Sequence, residues 1–367
     1  MKKIVCLCLL LFFCFNINVQ SEAVSVSARA AVLINAQTGS VIYSVNPDVK
    51  LPMASTTKIM TGLILAEQNC PEKTVCVTDN MINVEGSSMG LRSGDVLTYS
   101  DLLYGLMLPS GNDAANVIAY SVGGNINNFV DLMNKRAADL SLKNTYFVTP
   151  SGLDGMGHGT TALDLARLTA YALGNDTFRK VVGTKQITLE INNGKKLYLS
   201  NHNKLLKIYD GAIGVKTGYT SAAGRCLVSA AERDGVTLIC VTLNDKNDWD
   251  DHKALLDYGF DNCRKVEINP QIPATVPLYD GREVAVSFES ASVAICDGDM
   301  LTYSVCLPNF LYAPVQIGEK IGFVQVYCNN KPIKQVSIYA CETVDSMQNA
   351  SFFKLIINNF LNIFRRL

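Results

Sequence analysis

Three short clusters hold residues able to make and break an acyl bond. In chain order they are Ser55-Thr56-Thr57-Lys58, Ser110-Gly111-Asn112 and Lys216-Thr217-Gly218. Ser55 and Lys58 are three apart, so on a helix they share one face. A serine hydroxyl beside a neutral amine is a nucleophile with its base, and no histidine is needed. Pro52 and Ala54 fit a helix start, where the dipole favours negative charge near Ser55 and disfavours a cationic lysine. Lys216, a second cation brought close, depresses the pKa of Lys58 further. Ser110 can relay a proton to a leaving amine, and Asn112 offers both a donor and an acceptor to a substrate amide. Lys216 and Thr217 suit a substrate carboxylate, and Gly218 lets backbone approach closely. A phosphate-loop reading of Lys216-Thr217 fails, because that motif needs Gly directly before Lys and Val215 stands there.

The surrounding pattern supplies elements to hold these clusters. Residues 28–44 read as two strands joined by Gln37-Thr38-Gly39. From Ser55, Ile59, Gly62, Leu63 and Ala66 recur at helical spacing until Asn69 and Pro71 end the run. Residues 101–122 and 161–174 also read as helices, with Ser110-Gly111-Asn112 in a loop between apolar helical runs. Residues 185–200 alternate around Asn193-Gly194, a strong hairpin signal. Two further strands, Cys226 to Glu232 and Val236 to Leu243, flank Asp234-Gly235, and Lys216 lies where this strand pattern begins. Strands, helices, then strands again predict a sheet covered by a helical cluster.

The character changes after Cys263. Pro270, Pro273 and Pro277 are followed by short β-like runs at Thr275–Leu278, Val284–Phe288, Thr302–Leu307, Lys320–Cys328 and Val336–Cys341. The expected organisation is therefore a catalytic domain at 24–263 and a small all-β domain at 267–345. In the tail, residues 346–367, Phe353, Ile356, Ile357, Phe360, Phe364 and Leu367 fall on one helical face. Lys354, Asn358, Asn362, Arg365 and Arg366 fall largely on the other. The longest apolar run there is three residues, far below the roughly 20 that span a bilayer, so an in-plane membrane helix is expected. At the other end, Lys2 and Lys3 precede an apolar stretch from Ile4 to Phe15, and Ser21-Glu22-Ala23 has small residues at signal-peptidase spacing. Residues 1–23 read as an export signal, which places the chain at the outer face of the cytoplasmic membrane.

The net charge of −1 gives no electrostatic case for nucleic acid. His158, His202 and His252 are scattered, with no HExxH, so neither a metal site nor a cofactor is expected; His202 can line the cleft and His158 sits in a Gly-rich loop. Nine of the twelve cysteines follow residue 23, an odd number with no CxxC. Cys226 and Cys240 read as buried thiols, and Cys70 and Cys76 flank a loop that a disulfide can close.

The ordered SxxK, SxN and KTG triplets are the signatures of penicillin-interacting serine enzymes. The chain resembles the D-alanyl-D-alanine carboxypeptidases, the low-molecular-weight penicillin-binding proteins. Matching stretches include Glu85-Gly86-Ser87-Ser88-Met89, Leu102-Leu103-Tyr104-Gly105-Leu106, Ser151-Gly152-Leu153-Asp154, Asn203-Lys204-Leu205-Leu206 and Asp210-Gly211-Ala212. The likeness covers about residues 28–262, and the β domain and tail also fit. It implies a penicillin-binding, β-lactamase-like α/β (α+β) fold, an antiparallel sheet with a helical cluster, plus the all-β domain. It implies Ser55 as the acylated nucleophile, Lys58 as its base, Ser110 and Asn112 as the second element, and Lys216, Thr217 and Gly218 as the third. The N–H groups of Ser55 and Tyr219 would form the oxyanion hole. The implied partners are a peptidoglycan stem peptide ending in D-Ala-D-Ala, β-lactams, and a membrane surface.

Two other readings compete. A class A-like β-lactamase needs a deacylating glutamate between the second and third motifs. The only glutamate there is Glu190, in an alternating strand pattern beside the Asn193-Gly194 turn. A non-catalytic cell-wall binding protein has no use for an intact nucleophile motif.

Overall fold

A computed structural model describes residues 24–191 and 194–346. The expected export signal at 1–23, Asn193 of the hairpin turn, and the tail from residue 347 lie outside the described residues.

The centre is a five-stranded antiparallel sheet, ordered Val41–Val45, Ala30–Asn35, Val236–Leu243, Gly224–Arg233, Ala212–Thr220. Ala30–Asn35 is buried along its whole length because both faces of the sheet are covered. Val32 and Ile34 join the core shared with the helical cluster. Leu33 points the other way, with Leu227, Leu238, Leu255 and Leu256, onto helix Asp248–Asn262. This two-sided burial is why the strand reads as an unbroken apolar run rather than an alternating one.

Helix Lys58–Ala66 runs through the helical cluster with all nine residues buried. It is apolar nearly all round, as a core helix must be. Gly62 lets it approach its neighbours: a Cβ there would stand 3.1–3.3 Å from Leu103, Phe178 and Leu106. The predicted helix 101–122 is two helices, Tyr99–Met107 and Asn112–Gly123. A capping box between Thr98 and Asp101 starts the first. The break falls at Ser110, whose φ is +64°. The hairpin expected at 185–200 is present as Gln186–Ile191 paired with Lys195–Ser200.

After helix Asp248–Asn262 the chain is almost wholly β. Strand Cys263–Glu267 pairs with Ser292–Cys296. A second five-stranded antiparallel sheet is ordered Thr275–Pro277, Glu283–Phe288, Lys331–Ala340, Lys320–Cys328, Leu301–Cys306. Its own core includes Val284, Val324, Val326, Val336 and Ile338. Hydrogen bonds tie this region to the first hairpin, among them Asn35 Nδ2 to Ala294 O at 3.0 Å, Ala294 N to Gln37 Oε1 at 2.8 Å, and Ser40 Oγ to Asp299 Oδ1 at 2.7 Å.

The disulfide joins Cys263 to Cys296, while Cys70 and Cys76 are free thiols. The loop between Cys70 and Cys76, which a disulfide could have closed, is therefore left unbridged. Cys76 belongs to strand Thr74–Cys76, paired with Val96–Thr98 rather than folded back on Cys70. Cys226 and Cys240 are buried thiols, as read from their apolar strands. The 33-residue separation of the bridged cysteines implies a chain-entropy stabilisation of about 3–4 kcal/mol. A Cys263→Ser/Cys296→Ser double variant should lose about that much in urea unfolding, and reductant should lower the parent to the same midpoint. Unchanged midpoints would show that strand pairing alone holds the junction.

Candidate active site

Ser55, the expected nucleophile, sits on a strained turn. Ala54–Thr57 form a 3₁₀ turn that feeds directly into helix Lys58–Ala66. Ala54 has φ +46°, and its carbonyl faces Gly152, whose φ is +91°. A Cβ on Gly152 would fall 2.0 Å from Ala54 O, so only glycine fits. Thr57 Oγ1 donates to Ala54 O at 2.8 Å and lies 2.9 Å from His158 Nε2. The Val148 N–H donates to His158 Nδ1 at 2.9 Å, so the ring proton resides on Nε2 and is given to Thr57. His158 therefore sits in a loop, as expected. It is also buried and clamps the Ser55 turn to the segment around Val148.

Lys58 is fully buried. Its Nζ lies 3.0 Å from Ser55 Oγ, 2.7 Å from Asn112 Oδ1 and 2.7 Å from Ser151 O. Burial pushes its pKa well below the ordinary lysine value, and the charge of Lys216 pushes it further, against a smaller opposing pull from Asp113. Asn112 is fixed by Nδ2 donating to Glu85 O at 2.6 Å and by its own N–H donating to Ser87 O at 2.7 Å. Next to it, the Asp113 carboxylate accepts from Ser88 Oγ and from the N–H groups of Met89, Gly90 and Leu91 at 2.6–3.1 Å. That carboxylate shapes the Glu85–Leu91 segment beside the cleft. Ser110 Oγ is buried and has no hydrogen-bond partner among the described residues.

Strand Ala212–Thr220 lies at the edge of the main sheet and brings the third cluster to the first. A Cβ on Gly218 would stand 3.0 Å from Ser55 N and 3.1 Å from Ala54 Cβ, so this glycine permits the contact. The cleft between them has a volume of about 420 Å³, and Ser55, Ser110, Thr217, Gly218 and Tyr219 line it. Lys216 is placed differently. It is buried beneath the surface, its Nζ donates to Thr217 O at 2.8 Å, and burial lowers its pKa to about 7. The electrostatic part expected of Lys216 thus reaches Lys58 and also His202, which lines the cleft and whose pKa burial and Lys216 both depress.

Ser87, from the Glu85–Met89 stretch, and Arg225, close in sequence to the third motif but given no role from sequence, also line the cleft, together with Asp248 and Trp249, which sequence did not single out. Arg225 faces Tyr219 in the strand register. Its guanidinium donates through Nε and Nη2 to the two oxygens of Asp248 and lies over the Trp249 ring at 5.9 Å. The Nη2 pairing is close and Asp248 is almost fully buried, so the fork is held in one direction. The signal in the sequence was the turn before Gly224, which sets the register that carries Arg225 to the cleft.

An antiparallel sheet with a helical cluster, and a serine–lysine pair at their junction, define a penicillin-binding type of serine enzyme. A family model described as D-alanyl-D-alanine carboxypeptidase matches residues 17–247, and one for the C-terminal domain of penicillin-binding protein 5 matches residues 271–346. D-alanyl-D-alanine carboxypeptidase DacF of Bacillus subtilis (strain 168) is 30% identical over 346 residues, covering 89% of this chain and 88% of that one. The crystal structure of penicillin-binding protein 5 from Haemophilus influenzae superposes with a TM-score of 0.65 at 27% identity, covering 88% of this chain and 98% of that one. The Streptomyces K15 DD-transpeptidase matches with a TM-score of 0.61 at 34% identity, covering 65% and 98%. The chain belongs to the D-alanyl-D-alanine carboxypeptidase family, the low-molecular-weight penicillin-binding proteins.

The clamp at His158 has a pH signature. Burial lowers its pKa to about 4, with Asp154 pulling up and Lys50 pushing down. Above the unfolded value near 6.5 both states are neutral and stability is full. Between about 6.5 and 4 the unfolded chain binds a proton that the folded chain refuses, so stability falls with pH. That loss is complete below about 4 and amounts to about 3 kcal/mol from this group. His158→Gln keeps an acceptor for Val148 and a donor for Thr57. It should remove this part of the slope in urea unfolding between pH 6.5 and 4 while leaving stability at pH 8 within about 1 kcal/mol. His252, buried against Ser229 and Thr242 with its pKa lowered to about 3, should supply the slope that remains.

Proposed function

We propose that this D-alanyl-D-alanine carboxypeptidase removes the terminal D-alanine of a peptidoglycan stem peptide through an acyl-enzyme on Ser55. The observation that carries this is the 3.0 Å contact between Ser55 Oγ and the Nζ of a buried Lys58 whose pKa is held low. Ser55 Oγ gives its proton to Lys58 and attacks the carbonyl carbon of the penultimate D-alanine. The N–H groups of Ser55 and Tyr219 hold the oxyanion. Collapse breaks the C–N bond, and the proton passes from Lys58 through the Ser110 hydroxyl to the departing amine of D-alanine. Water then attacks the ester, returns a proton through Lys58, and frees Ser55.

The substrate enters as an extra strand along Ala212–Thr220. Thr217 and the forked guanidinium of Arg225 receive its terminal carboxylate, with Lys216 adding positive potential from below. A β-lactam enters the same way, and its ring amide opens onto Ser55. A second reading is acyl transfer to an amine in place of water. It is favoured by the likeness to a protein named a DD-transpeptidase, and product analysis with and without an added D-amino acid separates the two. A β-lactamase using Glu190 is disfavoured, because Glu190 is exposed on the hairpin opposite Lys196 and is not among the residues lining the cleft. We place the enzyme outside the cytoplasmic membrane, exported by residues 1–23 and held at the lipid surface by the amphipathic pattern of residues 346–367. Among the described residues no helix is long and apolar enough to cross a membrane.

Labelled penicillin should add covalently to a peptide containing Ser55, and Ser55→Ala should take up no label; labelling of that variant sinks the assignment. Lys58→Arg keeps a cation but loses the base near neutral pH. Its acylation rate should fall by about three orders of magnitude or more, on the scale of other lost members of a catalytic set. Lys216→Arg retains positive potential and should cost less, even though a larger group must fit a buried site. Equal losses in stopped-flow acylation would contradict this division of roles.

A further inference from the structure

Tyr279, Phe310 and Tyr312 form a cluster of exposed rings on the β domain, with 74%, 45% and 68% of their surface accessible. Their centroids are 5.4–6.0 Å apart, so each ring leaves water for the others on one side only. The backbone holds them together: Tyr279 N donates to Leu311 O at 2.8 Å, and Leu311 N donates to Pro277 O at 2.9 Å. Contiguous exposed aromatic surface on a soluble domain marks a contact site.

What covers it is indicated by where the chain goes next. Tyr279 begins a tight turn that Arg282 closes, with Leu278 N donating to Arg282 O at 2.7 Å. The Arg282 guanidinium pairs with Asp280 and also donates to Asp345 O at 2.8 Å. The turn bearing the rings is therefore bonded to the point from which residues 346–367 depart. That segment carries seven Phe and Ile residues and three basic ones, with no acidic residue after Asp345. Phe353 stands eight positions beyond Asp345, a span that even fully extended reaches no further than about 28 Å. If the tail lies on a bilayer, this face of the β domain is tethered within that reach of the same bilayer. Tyr279 and Tyr312, each an apolar body with a polar tip, suit the headgroup region, and the Phe310 ring adds apolar surface to them. The one acid in the turn, Asp280, is neutralised by Arg282.

We propose that Tyr279, Phe310 and Tyr312 are a second lipid-contacting element, which seats the β domain on the anionic membrane surface beside the tail. This rests on the membrane reading of residues 346–367 given above. Two changes to the chain spanning residues 24–367 separate the two claims in flotation with phosphatidylglycerol–phosphatidylcholine vesicles. Tyr279→Ser/Phe310→Ser/Tyr312→Ser should lower the vesicle partition coefficient at least tenfold while hydrolysing a small D-Ala-D-Ala peptide at the parent rate. A chain ending at Ser346 should lose still more. A triple variant within twofold of the parent, with the shortened chain unbound, overturns the proposal and keeps the tail. A shortened chain that binds as well as the parent removes the tail reading, and a loss on then adding the triple change keeps the proposal. Loss of binding to purified peptidoglycan with vesicle binding intact would make the rings a glycan platform instead. A parent dimer that the triple change renders monomeric would give the face to a second copy. If the triple variant does not fold, Phe310→Trp serves alone, against the single native tryptophan, Trp249, as background. Its emission should shift to the blue on vesicles and be quenched by brominated acyl chains, and unshifted emission overturns the proposal.

Discussion

The buried amino group of Lys58 is the constraint around which the molecule is organised. An ammonium here would need all of its positive charge compensated in an apolar interior, and the positive charge of Lys216 works against that. The three atoms around Nζ are Ser55 Oγ, Asn112 Oδ1 and Ser151 O. A neutral amine has two hydrogens and one lone pair, so it can donate to two of them and must accept from the third. The carbonyl oxygens of Asn112 and Ser151 have no hydrogen to give. Only Ser55 can donate. The surroundings that lower the pKa of Lys58 thus also leave Ser55 as the one neighbour whose proton the neutral form can accept.

That arrangement draws on three segments distant in sequence, and each is stiffened where it meets the lysine. The Ser55 turn is braced by Thr57 and His158 and closed over by Gly152. The Asn112 turn is anchored by Glu85 and Ser87, and its neighbour Asp113 gathers four donors from Ser88 to Leu91. Non-glycine residues with positive φ stand at Ala54, just before the first motif, and at Ser110, which opens the second. Such backbone costs of order 1–3 kcal/mol per residue and persists only where neighbours over-determine it. Here the neighbours do so, and the strain aims Ser55 and Ser110 at the cleft.

What could be read from sequence and what could not divide along a physical line. Ser55, Lys58, Ser110, Asn112 and Thr217 to Tyr219 stand in short motifs whose spacing already implies a shared face or turn. The helical cluster, the hairpin at 186–200 and the β character after Cys263 follow from local periodicity. The Cys263–Cys296 bridge, the Arg225–Asp248 fork and the His158 clamp depend on pairings between distant segments, and a period of two or 3.6 does not encode its partner. His158 looked like a loop residue because its flanking glycines are turn formers. Its burial arises from the Ser55 turn packing over it. Cys70 and Cys76 looked bridgeable for the opposite reason, since closeness in sequence suggested closeness in space until strand Thr74–Cys76 turned one of them away.

The sheet explains why the site cannot form piecemeal. Ala30–Asn35, near the start of the described chain, lies between Val41–Val45 and Val236–Leu243. Closing that pairing brings together residues more than 200 positions apart, a loop whose entropy must be overcome before any contact in it is gained. Only once strands Gly224–Arg233 and Ala212–Thr220 have added to that sheet does Gly218 meet the Ser55 turn. The contacts that complete the core are therefore also the ones that bring Ser55, Lys58 and the edge strand together. Both the burial and the nearby Lys216 that lower the pKa of Lys58 thus depend on the completed sheet.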